Sequence, residues 1–120
     1  MVTGAGRNLG RAIALHLAHA GADVALNVRS NLAEAAAVAA EVRSCGVRAC
    51  VALADVSDEA AVEEMFAQVA AELGPVSILV NTAGPRSEAA IDELSRAEWD
   101  TTVGAVLTGA FLCCRAAVGR

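Results

Sequence analysis

Short β-branched runs alternate with helical stretches along this chain, and that alternation constrains the fold more than any other feature. The runs at 24–28, 47–53 and 76–80 have the length and composition of buried strands. Between them and before the first, the segments 8–20, 31–45 and 58–73 carry apolar residues at helical spacing. Strands that alternate with helices in this way predict βαβ units with right-handed crossovers. We therefore expect the α/β class: a doubly wound parallel sheet with helices on both faces, in three α/β/α layers.

Capping residues support these boundaries. Asn31 with Glu34, and Ser95 with Glu98, have the spacing of a capping box, and Ser57 precedes an acidic first turn. Glycines stand where the three helices should end, at Gly21, Gly46 and Gly74.

A last helix is predicted over 96–117, with an apolar stripe wide enough to serve the sheet and a partner subunit. The stripe consists of Trp99, Val103, Val106, Leu107, Ala110, Phe111 and Cys114. We expect Trp99 to be a core or interface anchor. The 85–88 segment is the one stretch that resembles an exposed loop.

Composition favours a single packed domain over residues 1–120 and excludes several classes of function. Hydrophobic residues make up 56% of the 120 residues, whereas charged residues make up 19%, so disorder is not expected. The net charge of −5 argues against a nucleic-acid-binding surface. The nine basic residues are all arginine and there is no tyrosine, which removes mechanisms that need a lysine amine or a phenol.

The four cysteines form no C-x-x-C pair, so no zinc site is predicted. We expect free structural thiols, with a redox switch at Cys45 or Cys50 as the alternative. His16 and His19 share one face of a helix, but no third metal ligand is evident, and a surface pair is expected. No leader sequence is evident and no apolar run reaches about 18 residues without a polar break, so a cytoplasmic protein outside the membrane is predicted.

A glycine-rich turn near the amino terminus opens directly into the first helix. In the sequence Thr3-Gly4-Ala5-Gly6-Arg7-Asn8-Leu9-Gly10, glycines would allow the backbone to approach an anion held by the free amides of the helix. Such a pattern also occurs in turns that bind nothing, so its context matters.

The ends of the other strands carry polar residues or glycines, which a parallel sheet brings to the edge where ligands bind. They are Arg29-Ser30, Asp55-Val56 and Asn81-Thr82-Ala83-Gly84. Arg29 stands where a guanidinium would hold a 2′-phosphate, which favours NADP(H) over NAD(H); a solvated loop arginine is the alternative. For Asp55, the alternative to a ligand-binding role is that its carboxylate caps a helix or stabilises a turn. Asp23 precedes its strand and belongs to the opposite edge.

In this order and spacing, the motifs resemble the N-terminal, cofactor-binding portion of the short-chain dehydrogenase/reductase superfamily. Thr3 to Gly10 is similar to its Thr-Gly-x-x-x-Gly-x-Gly motif, Asp55-Val56 to its adenine-side dipeptide, and 81–84 to its Asn-Asn-Ala-Gly motif. The segment from Trp99-Asp100 to Cys113 resembles the family's helix after strand four. The resemblance implies a Rossmann-type sheet and an NAD(P)-dependent oxidoreductase that acts on a small carbonyl or alcohol, usually as a homo-oligomer packed through long helices, here the 96–117 helix.

The sequence departs from the family pattern at several positions. Asn8 replaces the middle glycine, where a left-handed asparagine would serve, and Thr82 replaces the second Asn of the strand-four motif, where its hydroxyl can bond backbone. Val106 stands at the position of a catalytic asparagine. The family's catalytic Ser, Tyr and Lys would follow Arg120, and strand one is short, so both ends of the domain are expected to be incomplete.

These observations predict cofactor-binding residues but no catalytic or metal-binding ones within the chain. The set consists of Gly4, Arg7, Asn8, Leu9, Gly10, Arg29, Ser30, Asp55, Val56, Asn81, Ala83 and Gly84. The loop residues would line the pyrophosphate, Arg29 and Ser30 the adenosine phosphate, 55–56 the adenine, and the last three the inner ribose. By itself the chain is predicted to be inactive, and a non-catalytic nucleotide-binding or dimerising module is the alternative function.

Overall fold

The computed structural model describes residues 1–86 and 88–119, so the predicted exposed loop at 85–88 lies partly outside the described residues, at Ser87. Strands and helices alternate as the sequence predicts. The elements are β1 (Val2–Thr3), α1 (Asn8–His19), β2 (Val24–Val28), α2 (Leu32–Ser44), β3 (Ala49–Leu53), α3 (Glu59–Leu73), β4 (Val80–Asn81), α4 (Arg96–Val103), a π-helical segment (Gly104–Thr108) and α5 (Gly109–Val118).

The four strands form one parallel sheet in the order β3-β2-β1-β4. β2 and β3 pair along their whole length, from Val24 beside Ala49 to Val28 beside Leu53. β1 lies in the middle of the sheet, with Val2 between Leu26 and Val80. This order reverses direction next to β1, and such a switch point opens a crevice at the carboxyl edge of the sheet.

Both faces of the sheet are covered by helices. One core packs residues of α3 and α5, such as Phe66 and Cys113, against Cys50 and Ala52 of the sheet. The other packs α1 and α2, through residues such as Ala14 and Val38, on the opposite face. The predicted three-layer Rossmann-type architecture is confirmed.

The predicted capping residues are confirmed at two helices and corrected at one. Asn31 accepts a hydrogen bond from the Glu34 amide at 3.2 Å, and Ser95 and Glu98 form a reciprocal capping box. The α3 cap is Asp58, whose carboxylate accepts from the amides of residues 60 and 61, and not Ser57.

The strand predicted at 76–80 is shorter than expected, because only Val80 and Asn81 join the ladder. The ammonium group of Met1 donates to the Ile78 carbonyl at 2.7 Å, and Val80 donates to the Met1 carbonyl at 2.9 Å. Residues 76–77 therefore have no partner in β1 with which to form a ladder, although their composition favours a strand. The third strand likewise begins at Ala49 rather than at Val47.

The last helix runs on to Val118, but its predicted apolar stripe does not pack on the sheet. The buried face consists of Gly109, Leu112, Cys113 and Ala116. Exposed fractions are 53% for Trp99, 52% for Val106, 68% for Leu107 and 58% for Phe111, so Trp99 is not a core residue. The helical spacing predicted an apolar face correctly, but the helix packs through the neighbouring face instead. Gly109 on that face lets the helix backbone come close to Val56, so the predicted stripe is left exposed.

The combined helix Arg96–Val118 is also long and apolar enough to cross a membrane by length and composition, with a mean hydropathy of 1.5. Core helices of soluble proteins can have the same length and hydropathy. Here the α5 part of the helix packs against α3 in one of the two cores. The helix is wound into a π segment over Gly104–Thr108, where it passes the carboxyl edge of the sheet. Such π segments are frequent at functional sites.

Candidate functional site

A groove of about 990 Å³ runs along the carboxyl edge of the sheet. It is lined by the glycine-rich turn, by the ends of β2, β3 and β4, and by the π segment. All of the predicted cofactor-binding residues line it except Asn81: they are Gly4, Arg7, Asn8, Leu9, Gly10, Arg29, Ser30, Asp55, Val56, Ala83 and Gly84. The structure thus brings together residues that are up to 80 positions apart in sequence.

At Gly4 and Gly10 the glycine-rich turn is packed too closely to accept a side chain. Gly4 has φ of +63°, and a Cβ there would lie 2.9 Å from the Cα of Ala83. A Cβ on Gly10 would lie 2.2 Å from the Gly4 carbonyl oxygen. Asn8 adopts the left-handed conformation expected of it, with φ of 49°. The turn therefore has the backbone shape of an anion cradle although its middle glycine is absent.

The helix that begins in this turn has an uncapped amino terminus. The N-cap residue of α1 is Arg7, which is extended and makes no side-chain capping hydrogen bond. By contrast, α2, α3 and α4 are each capped by a side chain, those of Asn31, Asp58 and Ser95. The first amides of α1 therefore remain free to bind an anion, at the positive end of the helix dipole.

Two threonines join the turn to the end of β4. The Thr3 hydroxyl, which is buried, accepts hydrogen bonds from the amides of Thr82 and Ala83, both at 3.1 Å. The Thr82 hydroxyl donates to the Thr3 carbonyl. The expectation that a hydroxyl at this position bonds backbone is confirmed, and the two loops form one rigid floor for the groove.

Asn27 connects the turn to the third strand, a role that sequence analysis missed. This side chain is buried, and its Nδ2 donates to the carbonyls of Ala52 and Ala54 at 3.2 and 3.1 Å. The backbone carbonyl of Asn27 accepts from the Ala5 amide at 2.9 Å. The available signal was a lone asparagine inside an otherwise apolar strand, since buried polar groups are usually bonded.

Arg29 and Asp55 lie at the end of the groove formed by β2 and β3. Asp55 Oδ1 accepts from the hydroxyl and the amide of Ser57, at 2.6 and 2.9 Å. These two bonds, together with the positive charge of Arg29, lower the pKa of Asp55. Asp55 therefore acts as a turn carboxylate, the alternative raised by the sequence, while its Oδ2 makes no bond to the described residues. Arg29 and Ser30 are exposed in the same part of the groove.

Asp23 is placed at the opposite edge of the sheet, as the sequence predicts. It accepts from Arg48 through Nε at 2.9 Å and through Nη2 at 2.7 Å. The hydrogen bond from the Arg48 amide, followed by those from its guanidinium, lowers the pKa of Asp23.

The other end of the groove is bounded by the π segment. A Cβ on Gly84 would lie 2.8 Å from Val106 Cγ2. Val106 therefore packs against Gly84 at this end of the groove, and a valine side chain offers no proton donor or acceptor. Asn81 is directed away from the groove, and its Nδ2 donates to the Cys114 sulfur at 3.5 Å.

The cysteines are free thiols, as expected. Burial raises the pKa of Cys50 to about 11 and that of Cys113 to about 11, so Cys50 does not suit a redox switch. Cys45 lies 3.8 Å from Nε2 of His19. Among residues 1–86 and 88–119 no three His, Cys, Asp or Glu side chains are grouped to hold a metal ion. His16 and His19 are exposed, each with Nδ1 on a carbonyl four residues earlier.

Comparisons with known proteins place the chain in a family. The family described as short chain dehydrogenase matches residues 1–120. A short-chain dehydrogenase/reductase of Armillaria gallica is 40% identical over 114 residues, and the 3-oxoacyl-(acyl-carrier-protein) reductase FabG of Staphylococcus epidermidis is 37% identical over 113. Each alignment covers 94% of this chain, and 44% and 46% of those proteins, respectively.

Solved structures give the same result. A short chain dehydrogenase from Burkholderia cenocepacia, crystallised with NADP, superposes with a TM-score of 0.93 at 35% identity over 99% of this chain and 49% of its own. A 3-ketoacyl-ACP reductase from Sinorhizobium meliloti gives 0.90 at 37% identity, over 98% and 46%. The fold and the site define a Rossmann-type, nucleotide-binding α/β protein. This chain belongs to the short-chain dehydrogenase/reductase family, whose N-terminal portion it matches, and it spans about half the length of these relatives.

Proposed function

We propose that this chain binds a nicotinamide coenzyme in the groove at the carboxyl edge of the sheet, as the coenzyme-binding part of an oxidoreductase acting on a small carbonyl or alcohol. The observation that carries the proposal is the uncapped amino terminus of α1, which opens into a groove of dinucleotide size beside a turn whose positions 4 and 10 have no room for a side chain. A dinucleotide diphosphate suits those free amides in charge and shape.

Different groups of groove residues would bind different parts of the coenzyme. Gly4, the segment 7–10 and the first amides of α1 would hold the diphosphate. Asp55 and Val56 would lie by the adenine, where the free Oδ2 of Asp55 can accept from an amino group. Ala83 and Gly84 would border the inner ribose. The sequence also assigned Asn81 to that ribose; because its amide donates to Cys114 instead, we propose that it supports the β4 loop.

We favour NADP(H) over NAD(H) as the coenzyme. Arg7 and Arg29 both line the groove, and neither forms an ion pair within the described part of the chain. Their guanidinium groups therefore remain available to phosphate oxygens. The NADP complex of the Burkholderia cenocepacia relative is consistent with this choice.

A bound nicotinamide supplies hydride transfer, while the protein has to supply binding, orientation and proton transfer. Two relatives are named for reducing a 3-oxoacyl or 3-ketoacyl group, which is a carbonyl substrate. The 120 residues include no tyrosine and no lysine. We expect this chain to bind the coenzyme without turning over a substrate by itself.

The exposed stripe on the last helix supports a second proposal, that the helix over 96–117 joins two copies of the chain. Trp99, Leu107 and Phe111 are each more than half exposed. Three large apolar side chains exposed on one helix are unfavourable in water, and their burial would favour association of two chains. This surface is also the observation that favours the alternative function, a non-catalytic nucleotide-binding or dimerising module.

Isothermal titration calorimetry of the purified chain with NADPH and with NADH tests the main proposal. We expect binding of at least one coenzyme, and its loss in Gly10→Val, because the added side chain would overlap the Gly4 carbonyl. Gly119→Ala is the matched control, since its Cβ comes no closer than 3.4 Å to a neighbouring atom. A folded wild-type chain that binds neither coenzyme contradicts the proposal. Absorbance of the reduced nicotinamide with a panel of carbonyl compounds then tests for turnover.

A further inference from the structure

Glu34 places a negative charge in the part of the groove assigned to the adenosine phosphate. It lies in the first turn of α2, where its amide is capped by Asn31, and its side chain is half-buried and lines the groove. The Glu at the corresponding position of α4, Glu98, turns back and accepts from the Ser95 amide at 2.9 Å. Glu34 makes no such return bond, although its spacing to Asn31 is the same.

The Glu34 carboxylate is instead directed at the glycine-rich turn. An ideal Cβ on Gly6 would lie 3.4 Å from Glu34 Oε2 and 3.1 Å from Val28 Cγ1. Val28 is the last residue of β2 and directly precedes Arg29. The carboxylate therefore lies beside the end of β2, from which the Arg29 side chain extends.

No donor among residues 1–86 and 88–119 satisfies this carboxylate. Neither Arg7 nor Arg29 is within ion-pairing distance of it, although both line the same groove. The other carboxylate at this end, Asp55, has one oxygen bonded to Ser57. Glu34 is thus the groove carboxylate with both oxygens available to a ligand.

We propose that Glu34 is a specificity-determining residue that opposes Arg29 in the choice between a 2′-phosphate and a 2′-hydroxyl on the coenzyme. A carboxylate accepts a hydrogen bond from a ribose hydroxyl, whereas it repels a phosphate dianion. Both effects shift selectivity toward NAD(H), while Arg29 shifts it toward NADP(H). The pair therefore gives a moderate preference and lets both coenzymes bind. This inference rests on the proposed coenzyme-binding function.

The test compares 2′,5′-ADP with 5′-AMP, which isolate the adenosine half of the two coenzymes. Affinities are measured by calorimetry for wild type and Glu34→Gln, at low ionic strength so that screening is weak. We expect the ratio of the 2′,5′-ADP affinity to the 5′-AMP affinity to rise about fivefold in the variant, as removal of one charge several ångströms from a dianion implies. The ratio is taken within each variant, so a partly unfolded preparation does not alter it.

Glu64→Gln is the matched control, because it makes the same change in net charge on an exposed position of α3 away from the groove. Its ratio should equal that of wild type. Glu34→Ala serves as a second variant with the charge removed and should raise the ratio as Glu34→Gln does. An unchanged or lower ratio in both Glu34 variants overturns the inference, even where wild type binds NADPH and NADH. A wild-type chain that binds neither coenzyme refutes the proposed function itself, and this inference with it.

Discussion

Thr3 and Thr82 bond each other reciprocally: the Thr3 hydroxyl accepts from the Thr82 amide at 3.1 Å, and the Thr82 hydroxyl donates to the Thr3 carbonyl. They are 79 positions apart in the chain. The pair joins the glycine-rich turn to the end of β4, so two loops that line the groove are held together by side-chain hydrogen bonds.

Thr82→Val should lower the free energy of unfolding by about 1 kcal/mol, the usual net value of one hydrogen bond. The change keeps the side-chain shape but removes the donor to the Thr3 carbonyl. Urea denaturation measures the effect. Thr82→Ser retains the hydroxyl and should stay within a few tenths of a kcal/mol of wild type. Equal losses in the two variants would mean that methyl packing, rather than the hydroxyl, supports the junction.

Arg29→Ala should weaken NADPH binding roughly tenfold or more, because a charged hydrogen bond to phosphate is lost, and should change NADH binding less than about twofold. Calorimetry with both coenzymes gives the two affinities. Arg43→Ala removes the same charge from an exposed site at the other end of α2, and should affect neither coenzyme. Equal losses for NADPH and NADH in Arg29→Ala would remove the 2′-phosphate assignment.

Ser57→Ala should reduce the acid sensitivity of the fold. The Ser57 hydroxyl bond is the largest cause of the lowered pKa of Asp55, whose ordinary value is 3.8. A group with a folded pKa below its unfolded value contributes stability above the unfolded pKa, and this is lost as pH falls through the folded pKa. The stability gap between wild type and Ser57→Ala should therefore be present at pH 7 and close in the acid range below 3.8.

Urea denaturation at neutral pH and at about pH 2.5 checks this result. Ser77→Ala is the control, because Ser77 is exposed and its side chain makes no bond to a carboxylate of residues 1–86 and 88–119. A gap that persists unchanged at low pH would show that the Ser57 hydroxyl acts on something other than the ionised Asp55.

Cys114 should react with Ellman's reagent at least tenfold faster than Cys50 or Cys113 in the native chain. Cys114 is exposed, whereas the other two are buried and have a pKa of about 11. At pH 8 a thiol of that pKa is ionised in roughly 1 of 1,000 molecules. Cys114→Ser should remove the contribution of Cys114 to the fast phase, and Cys113→Ser should leave that phase intact. If all four thiols of the folded protein reacted at the same fast rate, the burial of Cys50 and Cys113 would be contradicted.

Leu107→Glu should convert an associated chain into a monomer, because it places a charge in the middle of the exposed stripe. Leu107 is 68% exposed, so the substitution should cost little stability in the isolated chain. Light scattering after size exclusion gives the molecular mass. Leu32→Glu changes a comparably exposed leucine, 53%, on α2 and should keep the wild-type mass. A wild-type chain that is monomeric at high concentration refutes association through this helix.

Most of the secondary structure could be predicted from the sequence, because helix spacing, capping residues and turn residues depend on neighbours in the chain. The bounds of β2 and α1, the Asn31 and Ser95 caps, and the left-handed Asn8 were all predicted from spacing and side-chain chemistry. The carboxyl-edge location of the groove followed as well, since the edge is implied by parallel strands. The extent of β4 did not follow, because a ladder needs a neighbour, and its neighbour is the two-residue β1.

The alternation of elements, the family resemblance and the residues at the strand ends could all be predicted from the amino-acid sequence alone. Tertiary structure decided which side chains face one another: that Asn27 ties the turn to the third strand, that Asp55 is held by Ser57, that Asn81 turns to Cys114, and that Glu34 points at Gly6. The physical reason is that periodicity fixes which residues share a face, whereas pairing across elements depends on how closely backbones approach, and here small residues such as Gly10 and Gly109 set that distance.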